Sequence, residues 1–201
     1  MKKFYIIGLG NPDSKYMGTR HNAGRMMVQL FGKKNDFPDF ELQKKSALVA
    51  EGKINKTSVS LILPELFMNN SGKSIKNFIK PKKTLKHVIV LNDDIDIPIG
   101  KFKIVFNRGS GGHKGVESVR RALGTEAFVR VRVGICPKKP ARNATHSVAG
   151  GKPTHRELLK LLTAKFKPSE EAELKKISKK VLEALVIIIT EGHEKAMSLF
   201  N

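Results

Sequence analysis

The segment KFYIIGLGNP, residues 3–12, has the pattern of a buried β-strand that ends in a polar turn. A short apolar run that is stopped by glycine is typical of such a strand. A second apolar run, residues 87–91, is followed at once by Asn92, Asp93 and Asp94. Because α/β proteins place their sites where strands end, the polar residues after each run are the first candidates for function.

The rest of the chain alternates between further strands and helices. Strands are predicted at residues 46–54 and 58–63, which form a hairpin, and at residues 101–106 and 129–135. Helices are predicted at residues 23–31, 71–79, 156–164 and 170–200, and in a segment that ends at Gly124. This alternation predicts an α/β fold, a single-domain, three-layer globule of residues 1–201 with a mixed, mostly parallel twisted sheet flanked by helices. Residues 137–153 lack periodicity and are rich in glycine, proline, alanine and lysine, which predicts a mobile loop.

The composition favours an intracellular protein with a polyanionic partner. The chain has 201 residues, and its 38 Lys and Arg outnumber 18 Asp and Glu to give a formal net charge of +20. Such an excess favours nucleic acid or an acidic membrane surface as the partner. Cys136 is the only cysteine, which excludes an internal disulfide framework and suggests a reducing compartment. The apolar runs are too short for a signal peptide or a membrane span, and we expect a cytoplasmic monomer.

Four polar clusters follow predicted strands: Asn11 with Tyr16 and His21, residues 67–69, residues 92–96, and the glycine-rich loop 109–115. His21 can act as a general base if a carboxylate fixes its tautomer, and Asp93 is a suitable carboxylate. Asn11 and Asn69 carry short amides that can hold a carbonyl or a water molecule without adding charge. Taken singly, each of these residues also fits a plain structural role in a turn, a helix cap, the core or a tight crossover.

Taken together, the motifs resemble the bacterial-type peptidyl-tRNA hydrolase family. Five blocks follow the family's order: GLGNP (8–12) with Tyr16 and TRHNAG (19–24), FMNNSG (67–72), DDIDIP (93–98) with Gly100, GSGGHKGVES (109–118) and FVRVRVGI (128–135). Agreement at five blocks over residues 5–135 is highly specific, and a helical tail follows them. The resemblance implies a metal-independent carboxylic ester hydrolase that acts on peptidyl-tRNA without a cofactor.

The resemblance also implies roles for individual residues. His21 matches the catalytic base, Asp93 matches the carboxylate that orients it, and Asn11 matches a residue that binds the scissile end of the substrate. The residues that match or adjoin substrate-binding positions are Tyr16, Phe67, Met68, Asn69, His113 and Lys114. The implied reaction hydrolyses the ester between a peptide and the 3′-terminal ribose of tRNA, which recycles tRNA from stalled or aborted translation. Such an ester needs no metal if a base activates water and donors receive the oxyanion.

The chain departs from the family pattern at several positions. Lys114 stands where the family usually has Asn, and a lysine can donate hydrogen bonds but cannot accept them. Asn92 stands where His is usual, Asp13 replaces a common glycine, and Val105 occupies a position that is basic in many members. These changes affect the details of water positioning and phosphate contact, and they leave the class of the protein unchanged.

Basic residues surround the candidate site in the sequence. Between residues 101 and 142 eleven residues are basic, and only Glu117 and Glu126 oppose them. The basic residues that we expect to contact tRNA phosphates are Lys103, Arg108, Arg130 and Arg132. Phosphate contacts position a nucleic acid without reading its sequence, which suits an enzyme that accepts many tRNAs.

Three alternatives stay open at this stage. The first is a catalytically silent relative that serves as an RNA-binding scaffold. The second is a metal-dependent nuclease built on Asp93, Asp94 and Asp96, although side chains that alternate along a strand do not obviously converge on one ion. The third is a protein that binds a membrane surface through its basic charge, for which the sequence offers no amphipathic anchor.

Overall fold

The computed structural model describes residues 2–79, 85–137 and 154–201. Its strands are β1 (Lys3–Gly8), β2 (Glu41–Gln43), β3 (Ala47–Ile54), β4 (Thr57–Pro64), β5 (Val88–Pro98), β6 (Phe102–Phe106) and β7 (Val129–Cys136). Its helices are α1 (Ala23–Lys34), α2 (Ser71–Ile75), α3 (Lys114–Leu123), α4 (His155–Thr163), α5 (Pro168–Thr190) and α6 (His193–Phe200). The predicted mobile loop falls almost wholly on residues 138–153, outside the described residues.

The described strands form one mixed sheet in the order β2-β3-β4-β1-β5-β7-β6. Parallel pairing joins the four central strands, β4, β1, β5 and β7. The pairs β2–β3, β3–β4 and β6–β7 are antiparallel. The mixed sheet is therefore confirmed, but the expectation that it is mostly parallel is wrong, because each type accounts for half of the pairings among described strands. The β3–β4 hairpin was predicted, and its short connection allows only antiparallel pairing.

Helices cover both faces of the sheet, which confirms the α/β class and the predicted layers. One apolar cluster joins Ile6 of β1 to residues of α1, α5 and α6, such as Leu185. The other joins the next residue of the strand, Ile7, to residues of α2 and α3, such as Val119. Consecutive strand residues point to opposite faces, so β1, β3, β4 and β5 each contribute to both clusters. Full burial of each such side chain contributes about 1.5–3 kcal/mol.

The C-terminal helical segment differs from its prediction as one helix over residues 170–200. The structure contains two helices, with α5 ending at Thr190 and α6 beginning at His193. Gly192 lies between them with φ at 104°, a conformation that glycine adopts at little steric cost. After this turn the side chain of Asn201 accepts a hydrogen bond from Ile104 N (2.8 Å) and donates one to Ile104 O (2.9 Å). The C-terminus thereby caps backbone groups on the edge strand β6.

Other helix and strand boundaries also differ from their predicted positions. The helix that was predicted at residues 71–79 ends at Ile75, and the strand that was predicted at residues 87–91 continues to Pro98 as β5. The short edge strand β2 was not predicted. The predicted helix at residues 156–164 is confirmed by α4. Among the described residues no helix is long and apolar enough to cross a bilayer.

Candidate active site

The candidate site forms where the segment between β1 and α1 approaches strand β5. His21 lies in a 3₁₀ turn, Arg20–Asn22, that leads directly into α1. Gly24 allows the close approach, because a Cβ atom there would overlap the carbonyl group of Leu91 in β5. The first turn of α1 therefore rests on the backbone of β5, two residues before Asp93. This packing brings together residues that are 72 positions apart in the chain.

His21, Asp93 and His113 form a hydrogen-bonded group that we call the His–Asp–His cluster. His21 Nδ1 lies 2.9 Å from Asp93 Oδ1 and 3.0 Å from Oδ2. His113 Nε2 lies 2.9 Å from Asp93 Oδ1. The two imidazole rings are tilted, with centroids 5.2 Å apart. The predicted pairing of His21 with Asp93 is therefore present, and a second histidine completes it.

Two opposing effects set the charge of the Asp93 carboxyl group. Burial opposes ionisation and on its own would raise the pKa, because only 2% of Asp93 is exposed. Electrostatic attraction and hydrogen bonds from His113 and His21 lower it further than burial raises it, so the pKa lies well below the usual range. Asp93 is thus a carboxylate at neutral pH, and a carboxylate can only accept hydrogen bonds.

The hydrogen bonds define which nitrogen of each neutral imidazole carries hydrogen. His21 must donate from Nδ1 to Asp93, which leaves Nε2 with a free lone pair. His113 donates from Nε2, because its Nδ1 accepts the backbone N–H groups of Gly115 (3.1 Å) and Val116 (3.3 Å) at the start of α3. Both nitrogens of His113 have protein partners, whereas Nε2 of His21 bonds to no described residue. Only His21 can therefore accept a proton from a bound water molecule.

Asn11 is held in one orientation beside this cluster. Its side-chain Oδ1 accepts the backbone N–H of Met68 (2.9 Å), so its amide Nδ2 is left as a donor. Its backbone is fixed by Asn22, which accepts from Asn11 N (2.8 Å) and donates to Asn11 O (3.0 Å). Asn22 is 3% exposed and stands at the N-cap position of α1 without forming a side-chain cap. This role of Asn22 could not be predicted from the sequence, which indicated no more than a possible helix cap.

Two residues that were expected to bind substrate have other contacts. Met68 is 5% exposed and belongs to the apolar cluster under α2 and α3, where its sulfur packs so closely under Gly115 that a Cβ atom there would overlap it. Its side chain is core, and its backbone positions Asn11. His113 has no free ring nitrogen for a ligand. Met68 and His113 therefore hold other site residues in place. Their sequence motif alone does not distinguish this supporting role from direct contact with the substrate.

Four further predicted site residues lie at the surface around the cluster. Phe67 is 54% exposed and immediately precedes the 3₁₀ turn Met68–Asn70. Asn69 is exposed within that turn, and Lys114 is exposed at the start of α3, next to His113. Tyr16 is half-buried, and its carbonyl accepts the hydroxyl hydrogen of Thr19 at 2.7 Å. These side chains are free to contact a substrate.

The four predicted phosphate contacts divide into two groups. Arg130 is 4% exposed and donates to Gly109 O at 2.7 Å, and burial lowers the pKa of its guanidinium group. Arg132 donates to Asp94 Oδ2 at 2.6 Å. Arg130, which we expected to contact a phosphate, is instead buried, and its guanidinium fixes the glycine-rich loop. Lys103 and Arg108 are exposed and have no ion pair among the described residues.

The donor set of the His–Asp–His cluster also bears on metal binding. One atom from each of its three side chains lies within 4.8 Å of the others, as in a two-histidine, one-carboxylate site. A metal ion would have to replace the hydrogens that now bridge each imidazole to Asp93. The three acids of the nuclease alternative do not converge, because Asp94 Oδ2 binds Arg132 and Asp94 Oδ1 accepts the backbone N–H of Asp96.

Comparisons with known proteins agree with the sequence blocks. The family model for peptidyl-tRNA hydrolase matches residues 5–201. A peptidyl-tRNA hydrolase of Thermodesulfovibrio yellowstonii is 34% identical over 200 residues, which cover 98% of this chain and 97% of that protein. One of Thermoanaerobacter sp. (strain X514) is 37% identical over 199 residues, which cover 98% and 99% respectively. The crystal structure of a variant peptidyl-tRNA hydrolase from Acinetobacter baumannii has a TM-score of 0.81 at 25% identity and covers 98% of this chain and 93% of that one. The similarity thus extends beyond the sequence blocks into the C-terminal helices.

Proposed function

The chain belongs to the peptidyl-tRNA hydrolase family, and from that premise we propose that it hydrolyses the ester between peptide and tRNA with His21 as the general base. The observation that carries this proposal is the tautomer of His21. Its Nδ1 hydrogen is bound by the Asp93 carboxylate at 2.9 Å, so the lone pair of Nε2 is free to accept a proton from water. Positioned base catalysis of this kind contributes about 10²–10⁴-fold in rate.

In the proposed reaction one proton moves from water to His21 and then to the leaving ribose oxygen. Nε2 of His21 takes a proton from water, and the hydroxide oxygen attacks the carbonyl carbon of the ester. The amide Nδ2 of Asn11 is a donor for the oxyanion that develops, because its Oδ1 is occupied by Met68 N. The tetrahedral intermediate releases the ribose oxygen, which takes the proton from the imidazolium. The products are the peptide carboxylic acid and tRNA with a free terminal hydroxyl group.

The remaining residues have supporting roles in this proposal. His113 is a positioning residue, because its two ring nitrogens link the Asp93 carboxylate to the first turn of α3. Tyr16, Phe67, Asn69 and Lys114 contact the substrate. As a donor without acceptor capacity, Lys114 can hold a carbonyl oxygen or a phosphate but cannot accept a hydrogen bond from the attacking water.

The proposal includes the setting of the reaction. We place the protein in the cytoplasm, where peptidyl-tRNA forms during translation, and we propose that it acts as a monomer without a metal. Hydrolysis that continues unchanged in a chelator, with intact tRNA as the product, would support the metal-free mechanism and would contradict the nuclease alternative. No feature of the described residues favours the catalytically silent alternative.

The test compares release of N-blocked amino acid from tRNA by the wild type and by His21→Ala, with His155→Ala as the matched control. His155 is an exposed histidine at the start of α4. We expect His21→Ala to lower kcat about 10²–10⁴-fold while the protein still binds tRNA, and we expect the control to retain full activity. Hydrolysis by His21→Ala at the wild-type rate would overturn the proposed base, and a wild type that binds without cleaving would establish the scaffold alternative.

A further inference from the structure

A basic groove lies between α2 and α3, beside the candidate active site. The two helices touch at Gly72, where a Cβ atom would overlap the carbonyl of Ser118, so their backbones are in direct contact at the floor. Above this contact the side chains diverge and leave a groove of about 470 Å³. The residues that line this α2–α3 groove are Asn69, Asn70, Lys73, Lys76, Lys114, Glu117, Ser118, Arg121 and Ala122.

The groove carries unpaired positive charge. Lys73, Lys76 and Lys114 are exposed, and none of them forms an ion pair within the part of the chain that the structure describes. Glu117 is the only acid among the described lining residues, and it is occupied by two arginines: it accepts from Arg120 at 2.7 and 3.0 Å and from Arg121 at 3.0 Å. These arginines hold the pKa of Glu117 at about 2, so it stays ionised and paired at any physiological pH. These three exposed ammonium groups thus have no charged partner in residues 2–79, 85–137 and 154–201.

Two residues of the groove lining connect it to the residues proposed for catalysis. Asn69 belongs to its lining and to the turn whose first backbone N–H fixes Asn11. Lys114 belongs to its lining and follows His113, which binds Asp93. The groove lining therefore includes residues directly adjacent in sequence to those that hold Asn11 and Asp93.

We propose that the α2–α3 groove binds phosphodiester groups of the single-stranded 3′ end of tRNA, the part of the RNA nearest to the ester. This assignment rests on the proposed function for the identity of the RNA. Ammonium groups suit phosphates as compact charges that do not discriminate among bases. A peptide segment fits the groove less well, because Ala122 is the only apolar residue in the described part of its lining and peptide recognition needs apolar pockets or a free strand edge.

The experiment removes two groove charges outside the proposed catalytic machinery. Lys73→Gln/Lys76→Gln is compared with wild type and with the control Lys179→Gln/Lys180→Gln. The control changes two exposed lysines of α5, which packs on the opposite face of the sheet. Binding of labelled deacylated tRNA is measured from 0.05 to about 1 M salt, together with KM and kcat for N-blocked aminoacyl-tRNA.

Loss of two phosphate contacts should reduce the slope of log affinity against log salt by about 1.4. This corresponds to about 25-fold weaker binding at 0.1 M salt, a difference that vanishes near 1 M. We expect KM to rise in parallel and kcat at saturation to stay unchanged, whereas the control should follow the wild type. A groove variant with the wild-type slope would overturn the proposal, as would a defect that appears only with an acidic peptide on the tRNA.

The binding and hydrolysis measurements can distinguish a failure of the groove assignment from a failure of the proposed catalytic function. If the wild type hydrolyses its substrate and the groove variant keeps the wild-type slope and KM, the groove assignment alone fails. If no protein hydrolyses the substrate but the slope falls as stated, the groove stands and the catalytic proposal fails. Equal thermal unfolding of the groove and control variants shows that the measured differences arise from charge.

Discussion

The His–Asp–His cluster and the α2–α3 groove lie side by side but are built in opposite ways. In the cluster the Asp93 carboxylate is 2% exposed and accepts hydrogen bonds from two imidazoles at 2.9 Å. In the groove Lys73 and Lys76 are exposed and have no charged partner among the described residues. One region is complete before a substrate arrives, and the other acquires its charge partners only when a substrate binds.

This difference assigns separate tasks to the two regions. Groups that are fixed by buried hydrogen bonds need no rearrangement during reaction, so they can act selectively on the transition state. Exposed charges act on an anionic ligand at every stage, so they change affinity and respond to salt. Substitutions in the cluster should therefore change kcat, and substitutions in the groove should change KM and the salt dependence of binding.

The largest effect is expected from Asp93→Asn, which keeps the shape of the side chain and removes its charge. An amide can donate to Nδ1 of His21, which favours the tautomer with hydrogen on Nε2 and removes the free lone pair. We expect kcat to fall by about 10³–10⁴, with the affinity for deacylated tRNA within about twofold of the wild type. Asp94→Asn is the matched control, because Asp94 is the next acid of β5 and binds Arg132 instead.

The same variant gives a pH dependence with a defined sign. Because the folded-state pKa of Asp93 is depressed, the carboxylate contributes stability above its unfolded-state pKa, near 3.9, and loses that contribution as pH falls further. The stability difference between wild type and Asp93→Asn should therefore be fully present at pH 7 and should shrink below about pH 4. Urea unfolding across this range measures it, and a difference that grows as pH falls below about 4 would contradict the depressed pKa.

The next effect concerns the support of the turn that carries His21. Arg20 is 4% exposed, binds Glu170 of α5 and donates to the carbonyl of Lys165 at 2.8 Å. Removing one partner of a buried ion pair costs about 3–5 kcal/mol, so Arg20→Met should lower the free energy of unfolding by about that amount. Displacement of the neighbouring His21 should also lower kcat by about 10- to 100-fold at a temperature where the variant is folded.

Arg25→Met is the control for this prediction. Arg25 forms a similar buried pair with Glu65, and it also donates to the carbonyl of Pro64, so its loss should cost comparable stability. Arg25 lies within α1 rather than in the turn of His21. If both variants lose kcat equally at equal stability, the effect is general and Arg20 has no specific positioning role.

The sequence was informative wherever one local pattern had one structural meaning. The apolar runs gave β1 and the start of β5, and motif order correctly paired His21 with Asp93 across 72 positions. The sequence was less informative where one residue type can serve several structural or functional roles. A methionine or histidine inside a functional motif can touch the substrate or support the residues that do, and Met68 and His113 proved to be supports.

The basic residues also show that a residue's role cannot always be predicted from its type and local pattern. Arg130 and Arg132 alternate along β7 as a basic face, yet the guanidinium of Arg130 binds the glycine-rich loop and that of Arg132 binds Asp94. The sequence did not predict a phosphate site at Lys73 of α2 or at Lys76 just after it, because lysines on a short helix normally form a solvated face. Only the packing of α2 against α3, which depends on Gly72, puts Lys73 and Lys76 beside Lys114. Such a long-range consequence of packing has no local sequence signal.

The smallest expected effect comes from Glu117→Gln, which tests whether the groove can be made more attractive to RNA. The change removes the only acid of the lining and releases Arg120 and Arg121 from it. One added net positive charge should steepen the salt slope by up to about 0.7 and raise tRNA affinity by up to about fivefold at 0.1 M salt, without a change in kcat. Because the pKa of Glu117 is about 2, wild-type Glu117 stays charged at pH 5, so the gain should be equal at pH 5 and pH 8. A gain that disappears at pH 5 would mean that Glu117 is already protonated there, and an unchanged slope would mean that the RNA passes this face of α3 at a distance.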